Sequence, residues 1–247
     1  NNRAGVDSVL RARANECAPF ENVYTLALRG LHDRAMNASN DMADRKQMLQ
    51  DALMAQRKML IDATGKRGED IPQAFTPYKE VLDVYGEGLE LPDDVTIIWP
   101  DDNYGYMKRL SSPKEQKRSG RSGVYYHSSY LGKPHDHLWM NTTSPTLMYE
   151  ELRKAYDMTA DRIWLLNAGD IKSCEFAVDF FLSMAYDIDS FNFDRAATYR
   201  TEWLCGMLGD EYRNEYQDVI NSFYKLAFAR RPEFMGWGYQ WATDKLS

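Results

Sequence analysis

Cysteine is scarce and scattered. The 247-residue chain has three, Cys17, Cys174 and Cys205, odd in number and without CxxC spacing. That argues against a disulfide framework or a thiolate zinc site and leaves free buried thiols as the simpler reading. Long apolar runs are missing as well: none approaches the roughly 20 residues a spanning helix needs. The opening stretch NNRAGVDSVLRAR is polar and charged, unlike a signal peptide. A positive surplus is absent. Lysine and arginine number 30 against 37 aspartates and glutamates, for a formal net charge of −7, and they are scattered rather than striped. A nucleic-acid backbone has no landing surface here, and nucleic acid is not an expected partner. No GxGxxG or GxxxxGK[ST] follows any strand-like run, which removes the usual support for nucleotide binding, and no GxSxG offers a serine nucleophile. The first residue is Asn1 rather than methionine, so the chain reads as starting inside an architecture already under way.

What is present is ordinary for a globular protein: 44% hydrophobic and 13% aromatic residues, enough for a large core. Along the chain, strand-like and helix-like stretches alternate. NVYTLALRG (22–30) is a short apolar run, followed by a helical pattern from about Asp41 to Thr64 in which Met48, Leu49, Leu53, Met54, Met59 and Leu60 recur at three-and-four spacing. QAFTPYKEV (73–81) reads as a weaker strand because of Pro77, and LDVYGEG after it as a helix stopped by glycines. DDVTIIWPDDN carries the clearest strand, an unbroken β-branched and aromatic run of the kind covered on both faces. The charged stretch YGYMKRLSSPKEQKRSG is expected to be a helical connection. GVYYHSS is a fourth strand, followed after a loop by the helix SPTLMYEELRKAYDM with Ser144 and Pro145 as N-cap and first-turn pair. RIWLLNAGD and KSCEFAVDFFLSMAYD make a fifth pair, and from about Phe191 only helices are expected.

Five strand–helix units in series imply a parallel sheet, either part of an eight-fold barrel or an open doubly wound fold. The missing phosphate loops favour the barrel. The expected architecture is a partial (β/α)8 TIM-type barrel of about five βα units over residues 1–190, followed by an α-helical bundle segment over 191–247. In such barrels the loops after the strands build the active site. The strand ends and the loops after them hold Arg29, His32 and Asp33; Lys79 and Glu80, at the end of the second strand; Asp101, Asp102 and Asn103; His127 and Tyr130; and Asn167 and Asp170. A carboxylate after a strand often does no more than cap the next helix, so Asp101, Asp102 and Asp170 carry that reading too.

His135 and His137 form an HxH pair that, with His32, Asp33, His127 and Asp170, sketches a metallohydrolase. The pair lies in a loop, where strand alternation cannot aim both rings inward, so no metal site is assigned. Two carboxylates on an aromatic rim suit glycoside hydrolysis, one protonating the leaving oxygen while the other activates water. Arginine adds a forked donor for an acidic sugar. A metal-dependent hydrolase and a non-catalytic carbohydrate-binding fragment stand as alternatives.

Taken together, TLALRGLHD, PYKEV, LPDDVTIIWPDDNYG, SGVYYHSSYLGKPHDHLW and RIWLLNAGDIKSCEF resemble glycoside hydrolase family 115, the xylan α-1,2-glucuronidases. The likeness runs in order from about residue 20 to 190. The resemblance implies a barrel followed by a helical bundle, and removal of glucuronic or 4-O-methylglucuronic acid from glucuronoxylan or its oligosaccharides, with inversion and without a cofactor. It implies Glu80 and Asp33 as the catalytic pair, with Glu80 chosen as the acid, and Arg29, Asn103, His127 and Tyr130 as substrate-binding residues. An inverting pair should lie about 6.5 to 9.5 Å apart. Secretion or a periplasmic location is the expectation that goes with it, and a homodimer is admitted for the full-length protein. Leu31, Tyr104 and Leu131 stand where the family commonly has Asp, Trp and Trp.

Overall fold

The structure, a computed structural model, describes residues 2–30, 34–36, 41–130 and 137–235. Its strands are β1 (Tyr24–Thr25), β2 (Gln73–Phe75), β3 (Thr96–Pro100), β4 (Ser122–His127) and β5 (Trp164–Asn167). Its helices are α1 (Arg3–Cys17), α2 (Met42–Thr64), α3 (Glu80–Gly86), α4 (Pro145–Asp157), α5 (Ile171–Tyr186), α6 (Phe193–Leu208) and α7 (Arg213–Ala229). Strand order is β1-β2-β3-β4-β5, with parallel pairing of β1 to β2, β2 to β3 and β4 to β5. A doubly wound sheet reverses its strand order part-way along, whereas a barrel adds each strand beside the last. The sequential order therefore makes this a partial α/β barrel. Among the described residues no helix is long and apolar enough to cross a membrane.

Two compact units divide the chain, the first being residues 1–99, 111–123 and 159–163, the second 100–110, 124–158 and 164–247. In the first, α2 begins where the Asp41 carboxylate accepts from the Ala43 N–H at 2.7 Å. One face of α2 buries Leu49, Leu53 and Leu60 with Leu26, Phe75, Val84 and Val95, while Met48 is exposed. Truncating a fully buried leucine such as Leu53 to alanine costs about 2–5 kcal/mol. The helix α1, for which the polar opening sequence gave no signal, packs on α2. In the second unit the buried rings of Tyr126, Phe180 and Phe181 join Met148, Leu152 and Met184. There α4 starts at Ser144, whose hydroxyl accepts from the Leu147 N–H at 3.2 Å. α6 packs on α4, α5 and α7.

Two expectations need correction. Strand β2 ends at Phe75, not near Val81, because Pro77 has no N–H for a ladder; Lys79 then precedes α3 and Glu80 is the first residue of that helix. The stretch expected to be a helical connection, 104–120, holds only one 3-10 turn, Glu115–Lys117. Pro113 biases Ser112 away from helical dihedrals. Side chains also take the amides that a helix would need: Asp102 accepts from the Tyr104 and Tyr106 N–H groups, Glu151 from Met107 and Glu115 from Ser112.

Candidate active site

The first unit holds one group of site residues. After β2 the Tyr78 N–H bonds to the Thr76 carbonyl at 2.9 Å, and Lys79 takes φ 51°, ψ −123°. For a side chain with a Cβ this costs of order 1–3 kcal/mol and persists only where the surroundings impose it. It turns Glu80 onto Arg29. The guanidinium donates from Nε to Oε1 at 3.2 Å and from a terminal nitrogen to Oε2 at 3.0 Å, with both side chains 19% exposed. This fork fixes the plane of the carboxylate and takes two of its roughly four acceptor sites. The Tyr78 ring lies 5.4 Å from the Arg29 guanidinium carbon and 5.1 Å from the Lys79 ammonium, within cation–π range of both.

A second group forms in the other unit. Alternation along β4 sends Tyr126 against Phe181, at 6.2 Å between ring centroids, and puts Tyr125 and His127 on the opposite face, 4.6 Å apart. His127 is 1% exposed and its Nδ1 lies 2.6 Å from Asp101 Oδ1. Asn167 donates to the Tyr125 hydroxyl at 2.8 Å. Asn103, at φ 75°, sits in a loop drawn tight by Asp101 and Asp102. The Tyr130 ring meets His127 edge-on at 5.6 Å and Tyr104 at 6.2 Å. Tyr104 in turn contacts Phe234 at 5.9 Å, and Arg231 donates to its carbonyl at 2.6 Å. Burial first, then the neighbouring Tyr130, pushes the Tyr104 hydroxyl above its usual pKa.

A family model for glycosyl hydrolase family 115 matches residues 1–234. The chain belongs to that family. A solved family GH115 4-O-methyl-α-glucuronidase with specificity for decorated arabinogalactans is 41% identical, with a TM-score of 0.90 over 96% of this chain. The chain spans 31% of that enzyme's chain. No curated protein matches it.

For a family 115 chain, the sequence-derived site residues fall as follows. Arg29 and Glu80 are joined directly, and His127 and Tyr130 are in ring contact. Asn103 shares their unit and bonds through its backbone to Asp101. Asp33 and His32 lie outside the described residues, as do Leu31, Leu131, His135 and Asp136. His137 takes a left-handed backbone before the 3-10 turn Leu138–Met140. Neither Asp101 nor Asp102 caps a helix: both organise the loop after β3. Asp170 occupies the cap position of α5 without a side-chain bond. Sequence reasoning missed the bond from Asp101 to His127 and the support of Tyr104 by Arg231 and Phe234. The doubled aspartate after a buried strand was a signal for the first. The second spans more than a hundred positions and left no local trace.

Proposed function

We propose that the protein carrying this chain is an inverting α-1,2-glucuronidase that removes glucuronic or 4-O-methylglucuronic acid from the xylose units of glucuronoxylan. The observation that carries the reading is the Arg29–Glu80 fork after β2, on the rim where a barrel does its chemistry, in a chain of family 115. Glu80 and Asp33 share the acid and base roles. Arg29 orients Glu80 and bonds to the uronate carboxylate or a neighbouring hydroxyl. Asn103, His127 and Tyr130 bind the sugar, whose apolar faces suit the rings of Tyr104 and Tyr130. No cofactor takes part. The specificity named for the similar glucuronidase favours a second polymer, decorated arabinogalactan, with the same type of uronic acid released and the polymer hydroxyl as leaving group.

We also read residues 191–247 as the start of a helical domain following a barrel segment over 1–190. The exposed apolar side chains Met207, Leu208, Val219, Leu226 and Phe228 on α6 and α7 support this, since such surfaces ordinarily meet a further partner. Secretion or a periplasmic site and a homodimer complete the proposal.

The test is release of uronic acid from glucuronoxylan and from decorated arabinogalactan, with the anomer of the first product read by NMR. Inversion and a loss of about 10²- to 10⁴-fold in Glu80→Ala and Asp33→Ala are expected. Near-normal rates in both variants refute the assignment, and loss of activity with a chelator points instead to a metal-dependent hydrolase.

A further inference from the structure

Asp101 is almost wholly buried, 1% exposed, yet the reaction as proposed gives it no part. Its carboxylate meets four donors. Oδ1 accepts from the Asn103 N–H at 3.0 Å and faces His127 Nδ1 at 2.6 Å; Oδ2 accepts from the His127 N–H at 3.0 Å and the Gly105 N–H at 3.2 Å. Three of these partners are backbone amides, which can only donate. A carboxylate oxygen bonded to such an amide offers its other lone pair to the ring, so Nδ1 is the nitrogen that carries a proton. In a neutral imidazole that makes Nε2 the acceptor.

We infer that Asp101 is a positioning residue for His127, holding the imidazole as its Nδ1–H tautomer so that Nε2 is the ring's acceptor nitrogen. The same carboxylate ties the His127 backbone to the loop carrying Asn103, so one buried group sets the relation of two sugar-binding positions. Tyr125 and Tyr130 pack on the His127 ring and fix its tilt. This deepens the proposed function and rests on it for the role of His127.

Asp101→Asn separates the tautomer from the packing. The introduced amide places its oxygen where two backbone N–H groups need it, at Oδ2, and its NH2 at Oδ1. There it faces one amide that cannot yield and an imidazole that can. The proton then moves to Nε2, turning the acceptor into a donor. Nitrogen-15 NMR on histidine-labelled protein, with the His127 signals assigned by their loss in His127→Ala, should show Nδ1–H in the parent and Nε2–H in Asp101→Asn. An Nε2–H tautomer in the parent overturns the inference without any variant having to fold. In kinetics, Asp101→Asn should lower kcat/KM about 10- to 100-fold in the parent and change it little in a His127→Ala background. An equal loss in both backgrounds shows a role independent of His127 and overturns the inference. Normal activity in His127→Ala removes His127 from the proposed site and with it the catalytic purpose of Asp101, while a parent Nδ1–H tautomer lost in Asp101→Asn still supports the link between the two residues.

Discussion

Arg29 grips both oxygens of Glu80, at 3.2 and 3.0 Å, from an element 51 residues earlier in the chain. A forked contact sets orientation as well as charge, and a lysine ammonium, as a point charge, sets only the second. Arg29→Lys is therefore expected to lower kcat on glucuronoxylan by about tenfold to a hundredfold, as the loss of a charge-assisted bond worth roughly 1.5–3 kcal/mol implies. Thermal stability should fall by only about 1 kcal/mol, because both side chains retain some contact with water. Steady-state kinetics decides: a raised KM with unchanged kcat would mean that Arg29 binds the uronate without aligning Glu80.

Lys79 offers a stability test with the opposite sign. Its φ of 51° with ψ −123° suits glycine far better than lysine. Lys79→Gly relieves strain of about 1–3 kcal/mol but gives the unfolded chain more freedom, worth about 1 kcal/mol. The net expectation in urea unfolding is equal or greater stability, by up to about 2 kcal/mol. A clear loss of stability would show that the backbone is not strained at this position.

Legibility followed the range of the interactions involved. The 41–64 helix, the Ser144 cap and the third strand could be read because period, cap and burial pattern are local properties. Glu80 was read at the end of the second strand and instead opens α3, since Pro77 marked the strand as weak without saying where it stops. The 104–120 connection misled because its charges mimic an exposed helix, while the deciding partners, such as Glu151 for the Met107 amide, are distant in sequence. His127 was visible as a polar residue at a strand end. Its carboxylate partner 26 residues earlier was visible as a rim residue or a possible cap but not as a partner of His127, because only β-register fixes who meets whom.

Alkaline pH should weaken the second unit through Tyr126. Burial first, and then nearby Asp101, raise this phenol well above its usual pKa of 10.0, while its hydroxyl donates to the Gly105 carbonyl at 2.9 Å. With the folded value raised, the neutral form is the one the fold favours. Its contribution is whole below about pH 10 and is lost as pH climbs from there towards the folded value. Tyr126→Phe is expected to be less stable at neutral pH by about 1–3 kcal/mol, for the unpaired carbonyl, and to show a shallower decline above pH 10. Equally steep alkaline slopes in parent and variant would assign that decline to other groups.

Gly123 gives the most direct test of the register that delivers His127. A Cβ built there would lie 2.0 Å from the Ile163 carbonyl oxygen, a backbone atom that cannot swing aside as a side-chain end can. Gly123→Ala must therefore push the entry of β4 away from the segment leading into β5, at a cost of about 3 kcal/mol or more. Four residues on, the same strand pairs His127 with Asn167 and offers its amide to Asp101, so activity should fall further than the unfolded fraction explains. Gly86→Ala is the matched control, since nothing lies within 4 Å of its added methyl and the position is the last of α3. That variant should be neutral or gain up to about 1 kcal/mol. Chemical denaturation of the two proteins side by side reads the difference, and a Gly123→Ala protein as stable and active as the parent would mean that β4 can shift without moving His127.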